Sequence, residues 1–104
     1  MKQIYFLITI LLLTSNTFHA QTATDVVTGL NGPDGLAFNE NDLYVAEYTG
    51  NKISKIDITA TTPTATDVVT GLNGPIGLAF NGNDLYVSEY NGNKFLKLTS
   101  TYYH

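Results

Sequence analysis

Five side chains in this chain of 104 residues are of types and in places that could bind or react: Asp34, Glu47, Tyr48, Glu89 and Tyr90. Asp34 stands just before Gly35, at the mouth of an apolar segment, where its carboxylate is an oxygen donor for a hard divalent cation. Ca²⁺ suits such a donor but takes about six to eight oxygens, and the residue equivalent to Asp34 in the second half of the chain is Ile76. One chain therefore offers at most one such metal ligand, and a turn aspartate bonded to its own backbone is the alternative use of the residue. Glu47-Tyr48 and Glu89-Tyr90 recur at the same place in two related segments. A carboxylate beside a phenol can hold a sugar or a cation on a sheet face or rim. The same carboxylate, at a strand end, can instead accept hydrogen bonds from a neighbouring turn. Both uses stay open. The turns at Asn39–Asp42 and Asn81–Asp84 collect amide and carboxylate oxygens, but they lack the D-x-[DN]-x-[DN]-G spacing of a calcium loop and read as ordinary turns.

Other chemistries are thinly supplied. His104 is the single histidine after residue 20, so no internal histidine is available for a Ser–His–Asp arrangement. Cysteine is absent, which removes thiol nucleophiles, Cys-based zinc sites and disulfides together. The glycines sit singly in turns ahead of strands and form no phosphate-cradling loop. The composition leans away from an enzyme.

These residues are carried by a repeat. Thr22 to Lys55 matches Thr64 to Lys97 at 28 of 34 positions, with an offset of 42; positions 34, 40, 46, 49, 53 and 54 differ. A period of this length signals a repeat architecture. Each period holds four short β patterns separated by turn residues. Gly35 to Asn39 is a short apolar strand entered through Asn31-Gly32-Pro33, and Asp42 to Tyr48 is rich in β-branched and aromatic residues. Lys52 to Ile58 follows the turn Thr49-Gly50-Asn51, and Ala65 to Thr70 follows a polar connection containing Pro63. Leu43 and Val45 share one face while Tyr44, Ala46 and Tyr48 share the other, so this strand needs cover on both sides. Lys52 to Ile58 mixes charge into both faces and reads as a wetter strand near the sheet edge. No segment after residue 20 sustains a 3.6-residue apolar period, which predicts an all-β fold.

The string GPxGLAFNxNDLYVxEYxGNKI resembles the repeats of NHL-type and SMP-30/gluconolactonase-like β-propellers. In those, a Pro-x-Gly-apolar strand precedes an LYVAD-like strand and then NRI or NKI. The resemblance covers Thr22 to Leu98. It implies two β-propeller blades, each a four-stranded antiparallel sheet, and an incomplete propeller, because closed propellers use about four to eight blades. Domain bounds follow: a signal peptide over 1–20, then two repeats over 21–104, Thr22–Pro63 and Thr64–His104. The SMP-30 side of the resemblance implies a metal-dependent lactone hydrolase, with Asp34 matching an asparagine that binds the divalent metal in some blades. The acidic partners of that metal set have no counterpart in this sequence. The repeat also resembles propellers that bind ligands or proteins without catalysis. Near-identical copies favour this second function, since equivalent sites add avidity.

The chain's ends bear on location and partners. Lys2, the apolar run Ile4–Leu13 and a small residue at Ala20 make a secretory signal, with Gln21 as the expected new N-terminus. That run is too short for a membrane-spanning helix of about 20 residues. A secreted or periplasmic protein is expected. Residues 21–104 carry four lysines against nine carboxylates and no arginine, a balance that offers nothing to nucleic acid or an anionic membrane. Extracellular protein or glycan remains as partner. Two repeats fall short of a closed ring, and Thr99–His104 leaves the repeat pattern. Three arrangements fit: a truncated member of a longer multi-blade protein, a stack of two sheets, or a homo-oligomer completing a propeller ring. In the last, Ala23–Thr28 of one copy would complete the sheet of another around Phe95–Leu98.

Overall fold

The computed structural model describes residues 21–99. The export signal expected over residues 1–20, and His104, lie outside the described residues. Seven strands form in chain order: β1 (Pro33–Asn39), β2 (Asp42–Glu47), β3 (Lys52–Asp57), β4 (Ala65–Val69), β5 (Pro75–Asn81), β6 (Asp84–Glu89) and β7 (Lys94–Thr99). They make two antiparallel sheets, one ordered β1-β2-β3-β4 and the other β5-β6-β7. The fold is all-β, and no helix among the described residues is long and apolar enough to cross a membrane. The strands from residue 33 on fall where the alternation and turn residues put them, with ends moved by one or two residues. Ala23–Thr28, expected as an unpaired outer strand, is instead irregular because it has no neighbouring strand to pair with.

Two expectations are corrected. The second sheet has three strands among the described residues, not four. The reason is the order of pairing: β4 belongs by sequence to the second repeat, yet it pairs with β3 of the first, Ile53 opposite Val69 and Lys55 opposite Thr66. The first sheet thus takes its outer strand from the repeat that follows. Secondly, β3 is not a wet strand. Ile53, Ser54 and Ile56 are buried, because β4 lies outside β3 and takes over the solvated edge. A salt bridge of 3.0 Å from Lys52 to Asp67 ties β3 to β4, and the Asp67 hydrogen bond and charge hold the Lys52 ammonium above its ordinary value. Both groups are solvated, so the bridge orients more than it stabilises.

The two sheets pack face to face. Ala46 and Ile53 from the first meet Leu85 and Val87 from the second, with Tyr44, Val69, Leu78 and Phe80 around them. Tyr44 and Phe80 meet edge to face at 4.9 Å between ring centroids, a geometry favoured by the ring quadrupoles. Where β1 crosses the second sheet the backbones approach closely: a Cβ at Gly35 would overlap the carbonyl oxygen of Ile76.

The β1–β2 and β5–β6 hairpins pair Asn39 with Asp42 and Asn81 with Asp84. Glu40 holds φ 57° in the first turn and Gly82 holds φ 63° in the second. Side chains resist that region because Cβ crowds the backbone, at about 1 kcal/mol or more per residue. Glu40→Gly is therefore expected to stabilise the fold by about 0.5–1 kcal/mol, the gain in turn geometry exceeding the added chain entropy. Urea midpoints of the two proteins measure it.

Candidate functional site

The two glutamates sit at the ends of β2 and β6, and both are buried. Glu47 is engaged by its own chain: Oε1 accepts the Asn31 N–H at 2.8 Å, and Oε2 accepts the Ser54 hydroxyl. Glu89 repeats half of this. Its Oε2 accepts the Asn73 N–H at 2.9 Å. Its Oε1 is buried with no hydrogen-bond partner, 3.9 Å from the Lys94 ammonium. The asymmetry has a simple cause: the residue matching Ser54 in the second repeat is Leu96, which has no hydroxyl to donate. Each glutamate also lies under the turn that follows its strand, where Tyr48 and Tyr90 donate backbone N–H groups to Gly32 and Gly74, both at 2.7 Å.

Neither tyrosine side chain joins its neighbouring carboxylate. The Tyr48 hydroxyl donates across the sheet boundary to Asn91 Oδ1 at 3.4 Å, and Tyr90 is 65 % exposed. Asp34 is exposed at the start of β1. Among the described residues, no three His, Cys, Asp or Glu side chains converge as a metal site.

Sequence reasoning missed the larger concavity. A cleft of about 730 Å³ opens between the sheets at the end carrying the hairpin turns. Its polar wall comes from Asn39, Asp42 and Lys55 on the first sheet and Asn83 and Lys97 on the second, with Phe80 at its floor. Lys55 lies 3.9 Å from Asp42, so cation and carboxylate partly neutralise each other across the rim. Such a lining offers amide, ammonium and carboxylate groups beside an aromatic surface. These groups can donate and accept hydrogen bonds toward a polar ligand. Tyr44 and Lys55 share a face because they stand opposite each other in the β2–β3 register. What the sequence could not show is that this face meets the Phe80 face of the other repeat.

No protein-family model matches the chain, and no curated protein matches it.

Proposed function

We propose that the chain is an exported, propeller-type repeat module that binds a hydroxyl-rich ligand of the glycan kind in the cleft between consecutive sheets, without catalysis. The observation that carries this reading is that the wall the first sheet gives the cleft recurs in the second repeat. Asp42, Tyr44 and Lys55 line the cleft, and their equivalents on the second sheet are Asp84, Tyr86 and Lys97. Each further sheet of the same repeat stacked on this pair would build the same cleft again, and multiple equivalent sites raise avidity. The blade resemblance and the signal-like start over residues 1–20 support the architecture and location in this proposal. Glu47, whose two oxygens are bonded within the chain, serves the scaffold.

A glycan array screened with the purified chain, followed by calorimetry on a hit, tests the reading. Lys97→Ala removes an exposed cleft cation and is expected to weaken binding about tenfold, equivalent to about 1.4 kcal/mol, without changing the far-UV circular dichroism. Lactone hydrolysis that depends on added Ca²⁺ or Zn²⁺ would replace this reading with the metal-dependent hydrolase. Binding confined to peptides would move the ligand class to protein.

A further inference from the structure

We propose that the chain assembles head to tail with further copies of itself, residues 23–27 of one copy adding to β7 of the next as the missing fourth strand. This goes beyond ligand binding and does not depend on it. The segment 23–27, ATDVV, is identical in sequence to β4. In the first sheet β4 covers the outer edge of β3; β7 is the counterpart of β3, and no strand among the described residues pairs with its outer edge. An open edge and an unpaired copy of the strand that covers such edges thus occur at opposite ends of one molecule. Main-chain hydrogen bonding of this kind joins chains readily.

Within its own chain the segment 23–27 forms no strand and pairs with neither sheet. Val27 is half-buried, as is its equivalent Val69, and residues 25–30 enclose with Glu47, Lys52, Ser54 and Asp67 a cavity of about 440 Å³. Val69, the equivalent of Val27, packs on the core formed between the two sheets.

The junction between the two sheets supplies the template for the junction between copies. The Asn51 backbone carbonyl accepts the Leu72 N–H at 2.9 Å, and its side chain accepts the Gly74 N–H at 2.9 Å. Asn93 has the same left-handed backbone, φ 54° against 55° for Asn51. Its matching donors would be Leu30 and Gly32 of the next copy. Tyr48 overlies Gly74, its ring 3.0 Å from where a Cβ would stand, whereas its counterpart Tyr90 is exposed. The Tyr44–Phe80 contact likewise has unspent halves, Tyr86 and Phe38, both exposed. Ile53 is fully buried by the second sheet, while its counterpart Phe95 is 81 % exposed. Charge agrees as well: Lys52 pairs with Asp67, and Lys94 of one copy would meet Asp25 of the next. Several elements of the internal junction therefore recur at the two ends, Phe38, Tyr86, Tyr90 and Phe95 as exposed side chains. A heterologous contact of this type closes into a ring or runs on as a filament. A ring of about four to eight sheets takes two to four copies.

Because the chain has no cysteine, position-specific cross-linking tests the register directly. Val69 lies opposite Ile53, so Val27 of one copy is set opposite Phe95 of the next. Single variants Val27→Cys and Phe95→Cys, mixed and mildly oxidised, are expected to give about tenfold or more heterodimeric disulfide than Val27→Cys mixed with Thr61→Cys. Thr61 is an exposed loop position that the assembly leaves free. Sedimentation of the unmodified chain at micromolar concentration is expected to show a discrete oligomer or a polymer series. Asp25→Lys is expected to reduce that association without altering the circular dichroism. A monomer in sedimentation, or equal disulfide yields at positions 95 and 61, would overturn the proposal. So would a disulfide formed only within single chains of the Val27→Cys/Phe95→Cys double variant.

Discussion

Gly35→Ala is expected to destabilise the protein severely, by about 3 kcal/mol or more, whereas Gly77→Ala at the equivalent position costs about 1 kcal/mol. The two glycines occupy the same place in the repeat, and neither needs a left-handed backbone. What differs is the neighbour. A methyl group at Gly35 would run into the backbone carbonyl of Ile76, and a strand cannot yield there without separating the two sheets. At Gly77 the methyl would meet the Ser88 hydroxyl at 2.8 Å. That side chain can rotate away, at the loss of the hydrogen bond from the Gly77 N–H at 2.9 Å. Folded proteins hold only about 5–15 kcal/mol in reserve, and a small domain without disulfides sits near the bottom of that range. Gly35→Ala therefore removes a large share of it. Urea unfolding followed by circular dichroism distinguishes the variants; equal midpoints would show that the sheet contact at Ile76 is not tight in solution.

Glu47→Ala is the second large effect, with an expected loss of about 3 kcal/mol. Two hydrogen bonds to a buried charged acceptor disappear, each worth about 1.5–3 kcal/mol. The Asn31 N–H and the Ser54 hydroxyl lose their acceptor together. Glu89→Ala should cost about half as much, because Glu89 accepts only the Asn73 N–H and its other oxygen is buried without a hydrogen bond. Glu89→Gln should be close to neutral: the amide oxygen can keep the Asn73 bond while the buried charge is removed. Thermal unfolding of the three variants checks the order. If Glu47→Ala and Glu89→Ala lose equal stability, Ser54 contributes nothing to holding the first carboxylate.

The repeat makes plain how far sequence patterns reach. Strand positions were legible because they depend on alternation and turn residues within ten residues of one another. Leu43 and Val45 alternate with Tyr44 and Ala46 wherever the segment occurs, and Asn39 pairs with Asp42 as Asn81 does with Asp84. The use of Glu47 and Glu89 was only half legible. Their recurrence marked them out, but a binding role and a bond to a nearby turn both fit a strand-end carboxylate. The Asn31 and Asn73 N–H groups that take them up lie 16 residues earlier in the chain. The cleft was not legible, because its walls belong to residues in different repeats whose meeting is set by sheet packing.

Asp34, Glu47, Tyr48, Glu89 and Tyr90 return in this light as residues whose surroundings matter more than their types. The sequence by itself determined that the chain is β-structured, where its strands and turns lie, and that its two halves are near copies, since these depend on local backbone preference and short-range alternation. Tertiary structure decided the rest. It set β4 along the outer edge of β3, with the second sheet three-stranded among the described residues. It buried Ile53 and exposed Phe95, paired Phe80 with Tyr44 and left Phe38 at the surface. Near-identical segments differ in this way because burial is set by what lies across the sheet boundary. Among the described residues the first copy has a neighbour on that side and the second does not.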